Sequence, residues 1–271
     1  MASFLRNVAR IKSSKDRVIN EEHTLNPDNK QANRVALVTG AARRIGAGIA
    51  THLHQAGFRV VIHCHHSQKE AEKLAETMNR RCKDSATVLR ADLMKMDAAV
   101  ELVSKATSWG ERLDLLVNNA SVFTRSTLDE AEWDRLFTTN VKAPFWLSQA
   151  AYPHLAAHHG SIINITDIHA KKTLKDYSTY CQSKAALAMQ TISLAREFAP
   201  CVRVNAVAPG ATIWPELANE LSEEIQQKII ARTPLKRHGH PKFIAQAVLA
   251  LVENPFITGQ TLSVDGGQEV G

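Results

Sequence analysis

The chain lacks the patterns that mark a metal centre, a membrane span or a nucleic-acid-binding segment. Its four cysteines show no CxxC spacing, so we expect scattered thiols in a reducing compartment and no metal. No apolar run approaches the ~18 residues that cross a bilayer. The net charge of +6 is spread along the chain without a nucleic-acid motif, and it suits an anionic small ligand equally well. We expect a cytoplasmic protein without membrane or nucleic-acid partners.

Acidic residues are also missing from the start of the chain, where none precedes Asp16. This composition is typical of a mitochondrial presequence, and mitochondrial targeting is one hypothesis. A disordered basic tail, or an upstream start in a bacterial protein, is the alternative. We expect an extension over residues 1–33 and one domain over residues 34–271.

From Arg34 onwards, short apolar runs alternate with amphipathic stretches of ten or more residues. The apolar runs include VALVTG, FRVVIHC, LDLLVNN, GSIINIT and VRVNAVAPG. Such alternation predicts right-handed βαβ units in a parallel sheet that helices cover on both faces. Ligands of such sheets bind beyond the carboxyl ends of the strands.

The turn after the first strand predicts a nucleotide site. In TGAARRIGAGIA, small residues around Gly40 and Gly46 allow backbone N–H groups to approach a pyrophosphate at a helix N-terminus. Asp92, just past the third strand, is placed to hydrogen-bond an adenine amino group, and an ordinary turn-forming aspartate is the alternative.

The end of the second strand lacks the acid that NAD sites generally place near the ribose 2′-hydroxyl, since no acid occurs before Glu70. It offers His65, His66 and Ser67, with Arg43 or Arg44 opposite, which suits a 2′-phosphate and predicts NADPH. A polar strand end is the alternative. A shared metal is not expected, because adjacent strand residues point to opposite faces.

Tyr180, Lys184 and Asp167 are the candidate proton-transfer groups. Tyrosine and lysine four residues apart share one helix face, and a nearby cation is expected to lower the tyrosine pKa from about 10. Asp167 ends the apolar strand GSIINIT. A packed tyrosine beside a solvated lysine is the alternative.

These motifs resemble the short-chain dehydrogenase/reductase family over nearly all of residues 34–271. The matching segments are TGAARRIG, RADL, LVNNAS, TTNVKAP, YSTYCQSK, RVNAVAPG and ITGQTLSVDGG. The resemblance implies a doubly wound α/β Rossmann fold with a mostly seven-stranded parallel sheet, a homotetramer, and hydride transfer from a nicotinamide. It implies that Tyr180 is the proton donor, that Lys184 also holds the nicotinamide ribose, and that Asn140 positions a proton-relay water. Further cofactor contacts that it implies are Ile45, Leu93, Asn119, Ala120, Ser121, Pro209 and Gly210.

Two departures from the usual family pattern concern the substrate. Arg44 replaces the middle glycine of TGxxxGxG, and Asp167 replaces the usual serine, while Thr166 is one position off and points to the other strand face. With HCHHS and NNASVF, these departures resemble the pteridine reductase branch. That resemblance implies that Phe123 stacks on a pterin and that Ser121 and Arg44 contact the pterin or the cofactor phosphates.

The chemistry favours the same substrate, because a carboxylate at position 167 would repel a developing alkoxide. A reduced C=N bond of a dihydropterin needs a proton instead, which Asp167 and Tyr180 can supply. The sequence therefore predicts reduction of dihydrobiopterin, dihydromonapterin or dihydrofolate. A 3-oxoacyl thioester reductase and a non-enzymatic NADP(H)-binding regulator are the alternatives.

Two further residues are placed near this substrate. Trp214 is expected to begin a flap from Ala211 to about Thr233, or else to pack against a helix. Arg237 is expected to approach the pterin edge.

Overall fold

The computed structural model describes residues 33–127, 129–214 and 220–270, whose strands form one seven-stranded parallel sheet in the order β3-β2-β1-β4-β5-β6-β7. This confirms the predicted fold class. The strands are β1 Val35–Val38, β2 Arg59–Cys64, β3 Ala86–Arg90, β4 Leu115–Asn118, β5 Ser161–Ile165, β6 Arg203–Pro209 and β7 Thr261–Val264.

Helices alternate with these strands along the chain. They are α1 Arg44–Gln55, α2 Gln68–Arg81, α3 Met96–Gly110, α4 Glu130–Phe137, α5 Ala143–Ala156, α6 Ser178–Phe198, α7 Glu223–Arg232 and α8 Pro241–Glu253. A π-helical turn over Thr138–Lys142 joins α4 to α5, and a 3₁₀ turn over Ile168–Ala170 follows β5. Within the described ranges, no helix is both long and apolar enough to cross a membrane.

The sheet has a separate hydrophobic core on each face. Strand side chains alternate between faces, so Ala36 and Val38 pack with helices α1, α2 and α8, whereas Val35 and Leu37 pack with α3, α5 and α6. Burial on both sides explains the nearly continuous apolar runs in the strands.

The carboxyl ends of the parallel strands meet along one edge of the sheet, and the loops that leave this edge carry the predicted site residues. The register pairs β1 with β2 and β4, and β5 with β4 and β6. This brings together residues that are distant in sequence. The predicted N-terminal extension lies outside the described residues, apart from Asn33.

Candidate active site

One cavity of about 1420 Å³ opens at the carboxyl edge of the sheet. It exceeds the roughly 300–1,000 Å³ that is common for single small-ligand pockets, so it has room for a dinucleotide and a second ligand. The sequence-predicted residues Gly40, Arg43, Arg44, Ile45, Gly46, His65, His66, Ser67, Asp92, Leu93, Asn119, Ala120, Ser121, Phe123, Asp167, Tyr180, Lys184, Pro209, Gly210 and Trp214 all line it. Asn140 is absent from this lining.

The turn after β1 is packed tightly enough to require its glycines. Gly40 has φ +60°, and a Cβ there would lie 3.0 Å from the Ala120 Cα. At Gly46 a Cβ would collide with the Gly40 carbonyl oxygen and the Asn119 side chain. The Thr39 hydroxyl accepts from the Asn119 and Ala120 N–H groups at 2.9 and 3.0 Å, fixing the turn to the end of β4. The backbone is thus exposed for close approach by a phosphate.

Arg44 has the backbone conformation that explains the usual glycine at this position, with φ +57°. Its guanidinium donates to the carbonyl oxygens of Trp214 at 3.1 Å and Ile213 at 3.4 Å. Arg44 therefore links the nucleotide turn to the segment after β6.

His63 is a structural residue of the nucleotide site that sequence reasoning missed. It is buried, and its Nδ1 accepts from the Gly40 N–H at 3.1 Å while its Nε2 lies 3.2 Å from the Ala91 carbonyl oxygen. Burial lowers the pKa of His63 to about 4, so the ring is neutral and Nε2 carries its proton. The HCHHS segment could have identified this residue, because side chains alternate between the two faces of strand β2 and His63 therefore points away from its neighbours.

His65 and His66 do not point to opposite faces, and that expectation was wrong. Strand β2 ends at Cys64, so both histidines lie in a bend, with ring centroids 3.7 Å apart. No group of three potential ligands fits a metal ion within the described part of the chain. Ser67 precedes helix α2, and its side chain makes no capping hydrogen bond. The helix N-terminus, the Ser67 hydroxyl and both imidazoles can together receive an anion.

Asp92 forms a turn at the cavity, and its contact with an adenine amino group stays a prediction. One carboxylate oxygen accepts from the Met94 N–H at 3.1 Å, as in an ordinary turn, while the residue also lines the cavity. Gly210 follows β6, and a Cβ there would meet the Gln268 and Asp265 side chains. Gln268, which sequence reasoning did not identify, also accepts from the Ala211 N–H at 2.8 Å.

Tyr180 and Asp167 form the central contact of the site. The buried Tyr180 hydroxyl donates to Asp167 Oδ2 at 2.7 Å, and Asp167 Oδ1 accepts from the His169 N–H at 2.8 Å. Helix α6 supplies the tyrosine, and the end of β5 supplies the aspartate. The phenolic proton is therefore directed at the carboxylate.

Lys184 is buried rather than solvated, and its Nζ donates to the Ile165 carbonyl oxygen at 3.0 Å. Burial lowers its pKa to about 8, with the charge of Asp167 opposing. The expectation that Lys184 lowers the pKa of Tyr180 was wrong. Burial, then the charge of Asp167, raise the pKa of Tyr180 well above its usual value, because Asp167 is in direct contact while the Lys184 Nζ lies 5.8 Å from the phenol ring centroid.

Thr166 does not replace the serine that is usual at position 167. It is buried, and its hydroxyl donates to the Val207 carbonyl oxygen at 3.1 Å. Thr166 also lines the cavity, but its hydroxyl is engaged with the backbone.

The side chain of Asn140 is fully occupied within the protein. Its Oδ1 accepts from the Val122 N–H at 2.8 Å and the Ser121 hydroxyl at 3.1 Å, and its Nδ2 donates to Val122 O and Ser183 Oγ, both at 3.0 Å. These four bonds use the hydrogen-bonding capacity of the amide. The side chain therefore holds the loop after β4 against α6 and has no site left for a relay water.

Phe123 belongs to a small aromatic cluster at the wall of the cavity. Its ring is stacked on Tyr177, at a centroid distance of 4.5 Å, and meets the edge of Tyr180 at 4.8 Å. Tyr177 also lines the cavity and was missed, although it lies three residues before Tyr180 at helical spacing. Phe123 packs in an aromatic cluster and also lines the cavity, so stacking on a ligand stays a prediction.

Of the two residues predicted near the substrate, Trp214 lines the cavity and Arg237 does not. Trp214 lines the cavity and packs on His238, at a ring-centroid distance of 4.4 Å. Arg237 does not line the cavity, so its predicted approach to the substrate was wrong; its guanidinium lies 5.1 Å from the Phe243 ring centroid. Lys236, the preceding residue, lines the cavity instead.

Known proteins resemble this chain in both sequence and structure. It is 36% identical over 252 residues to a short-chain dehydrogenase/reductase of Pestalotiopsis microspora, covering 86% of this chain and 94% of the relative. It is 35% identical over 242 residues to the 3-oxoacyl-[acyl-carrier-protein] reductase FabG of Staphylococcus epidermidis, covering 87% and 98%.

A solved structure supports the second resemblance drawn from the sequence. FolM alternative dihydrofolate reductase 1 from Brucella canis, complexed with NADP, superposes with a TM-score of 0.83 at 36% identity, covering 89% of this chain and 96% of that one. Residues 40–269 also match the family model described as enoyl-(acyl carrier protein) reductase. With these matches over most of its length, the chain belongs to the short-chain dehydrogenase/reductase family.

Proposed function

We propose that this protein reduces a dihydropterin (dihydrobiopterin, dihydromonapterin or dihydrofolate) to the tetrahydro form with NADPH. The 2.7 Å hydrogen bond from Tyr180 to Asp167 carries the proposal. The similarity to the NADP-bound FolM structure supports it, whereas the similarity to FabG-type reductases favours carbonyl reduction as the competing assignment.

The arrangement at position 167 disfavours carbonyl reduction. A carbonyl substrate develops negative charge on oxygen, which requires neutral or positive hydrogen-bond donors nearby. Here a carboxylate occupies the position and attracts the phenolic proton of Tyr180. The nearest hydroxyl in sequence, on Thr166, donates to the backbone instead.

The residues at the nucleotide end fit NADPH. The turn at Gly40 and Gly46 leaves no space for a Cβ and admits a pyrophosphate. His65, His66 and Ser67, which follow β2, and Arg43, which lines the same cavity, suit the 2′-phosphate. When bound, NADPH supplies a hydride, and Lys184 and Tyr180 would hold its nicotinamide ribose.

Reduction of the C=N bond also requires a proton on the ring nitrogen, which this chain supplies. The raised pKa of Tyr180 keeps the phenol protonated in the resting site. As the ring nitrogen becomes basic, the proton passes from the Tyr180 hydroxyl through the Asp167 carboxylate to that nitrogen. The Lys184 ammonium then stabilises the phenolate and returns a proton to it, for which a pKa of about 8 is well matched. The neutral amine regains its proton from water, which restores the resting site.

Phe123 would form the outer wall against the pterin face. Ring stacking of this kind contributes about 0.5–1.5 kcal/mol beyond area burial. Asn140 would act indirectly, because its side chain holds the Ser121–Val122 segment that precedes Phe123.

A substrate panel tests the proposal. The purified full chain is incubated with NADPH or NADH and with dihydrobiopterin, dihydromonapterin, dihydrofolate or acetoacetyl thioesters, and cofactor oxidation is followed. We expect turnover of at least one dihydropterin with NADPH and weaker activity with NADH. Turnover of the thioesters alone would establish the carbonyl reductase, and NADPH binding without any turnover would favour the non-enzymatic regulator.

We also propose that the chain forms a homotetramer in the cytoplasm. Phe145 on α5 and Met189 and Ile192 on α6 are 42%, 61% and 51% exposed, and exposed apolar side chains grouped in this way are typical of contact surfaces. Light scattering measures the mass directly. A monomer would refute the proposal.

A further inference from the structure

The far end of the cavity is lined by one face of helix α7. Leu221, Ile225 and Ile229 follow each other at intervals of four residues, and all three line the cavity. No residue of α7 is buried, so this apolar face is not used for packing the core. Ile225 and Ile229 share one face of the helix, and Leu221 directly precedes the N-cap Ser222; we call these three apolar residues the stripe.

The stripe ends in two cations. Arg232 is the last residue of α7 and lies three positions after Ile229, so it continues the same helix face. Lys236 follows in the next turn with φ +51°, and its ammonium donates to the Ala231 carbonyl oxygen at 2.5 Å. Both side chains line the cavity. Among the described residues, the Arg232 guanidinium has no ion-pair partner.

No carboxylate balances these cations at this end of the cavity. The carboxylates that line it in the described ranges are Asp92, at the nucleotide end, and Asp167, in contact with Tyr180. On α7, Glu224 pairs with Lys228. A ligand reaching this end therefore meets an apolar wall followed by uncompensated positive charge.

We propose that the stripe of Leu221, Ile225 and Ile229 with Arg232 and Lys236 binds an aromatic-carboxylate tail, and that it selects pteroylglutamate substrates. This rests on the proposed function. The p-aminobenzoyl group of dihydrofolate is apolar and its glutamate bears two carboxylates, which matches the order of the residues. Ile225 to Arg232 spans about 10 Å along the helix, comparable to the length of this tail. Dihydrobiopterin and dihydromonapterin lack it.

Steady-state kinetics on the full chain test this subsite. The Arg232→Gln/Lys236→Gln double variant is compared with Lys228→Gln, which removes a cation of the same helix that does not line the cavity. The substrates are dihydrofolate, its γ-triglutamate form and neutral dihydrobiopterin. Two exposed charge contacts are together worth roughly a threefold to tenfold change. We expect the double variant to raise KM for dihydrofolate by that factor, with kcat and the KM for dihydrobiopterin changing less than twofold.

Ionic strength provides an independent measurement. Exposed charges are screened by salt, so KM of the unaltered protein for dihydrofolate should rise with salt, and that of the double variant should not. If KM values for dihydrofolate and dihydrobiopterin change equally, or neither changes, the subsite is refuted while the proposed function stands. If no dihydropterin is reduced, the proposed function and the subsite are both refuted.

Discussion

The hydrogen bond between Tyr180 and Asp167 leads to the sharpest prediction, which concerns Asp167→Asn. The asparagine is nearly isosteric, but its amide nitrogen cannot accept a hydrogen bond. The aspartate now accepts from both the Tyr180 hydroxyl and the His169 N–H. Asparagine can keep one of these bonds, so the phenolic proton loses either its acceptor or the route to the substrate nitrogen.

The expected loss follows from general acid catalysis. Such groups contribute about 10²- to 10⁴-fold, or roughly 3–5 kcal/mol of transition-state stabilisation. We expect kcat for a dihydropterin to fall by this factor, with KM for NADPH changing less than about twofold. The lost hydrogen bond should cost about 1–3 kcal/mol of stability, so the protein should still fold.

The assay is steady-state turnover of dihydropterin at saturating NADPH, with the melting temperature measured in parallel. Thr166→Val is the matched control, because it removes a neighbouring hydroxyl that bonds only to the backbone at Val207. Its kcat should stay within twofold of the original. A folded Asp167→Asn protein with unchanged turnover would falsify the proton route. Asp167→Ser, which restores the usual family serine, should lose dihydropterin turnover and gain activity on acetoacetyl thioesters.

Three further predictions concern the cofactor turn and the buried lysine. Gly46→Ala should weaken NADPH binding at least tenfold in titrations, since the Cβ collides with backbone at Gly40; binding within twofold of the original would contradict the turn geometry. His63→Ala should lower the free energy of unfolding by about 1–3 kcal/mol in urea and raise KM for NADPH, because the Gly40 N–H loses its acceptor; an unchanged KM would show that the bond does not position the turn. Burial depresses the pKa of Lys184 from 10.5 to about 8. Between pH 8 and 10.5 the lysine is therefore protonated in the unfolded chain but neutral in the folded protein, and below pH 8 the folded protein must bury a charged ammonium. As the pH rises from 8 to 10.5, the free energy of unfolding of the original protein should therefore increase by about 3 kcal/mol relative to that of Lys184→Met. Its kcat should fall above about pH 8. If the free energies of unfolding of the two proteins change in parallel with pH, the burial of Lys184 is refuted.

The alternation of apolar and amphipathic segments along the sequence was sufficient to predict the fold. Apolar strands separated by amphipathic helices have few arrangements other than a parallel sheet covered on both faces, because each βαβ connection is right-handed. The carboxyl-edge position of Gly40, Asp92, Asn119 and Asp167 follows from that topology alone. For the same reason, the residues that line the cavity were predicted in large part.

The errors occurred where contacts between distant segments decide the outcome. His65 and His66 come together because β2 ends at Cys64, and a strand end is set by pairing with its neighbours. Arg237 turns to Phe243 while Lys236 faces the cavity, a choice that depends on the positive φ at Lys236.

The sequence by itself determined the family, the sheet and the identity of the acid at position 167. Only the tertiary structure decided what that acid does to its partner. Helical spacing joined Tyr180 to Lys184 and predicted a lowered phenol pKa, yet the chain places Asp167 in direct contact and buries both groups. Burial and contact distance determine such pKa values, and neither is a property of spacing along one helix.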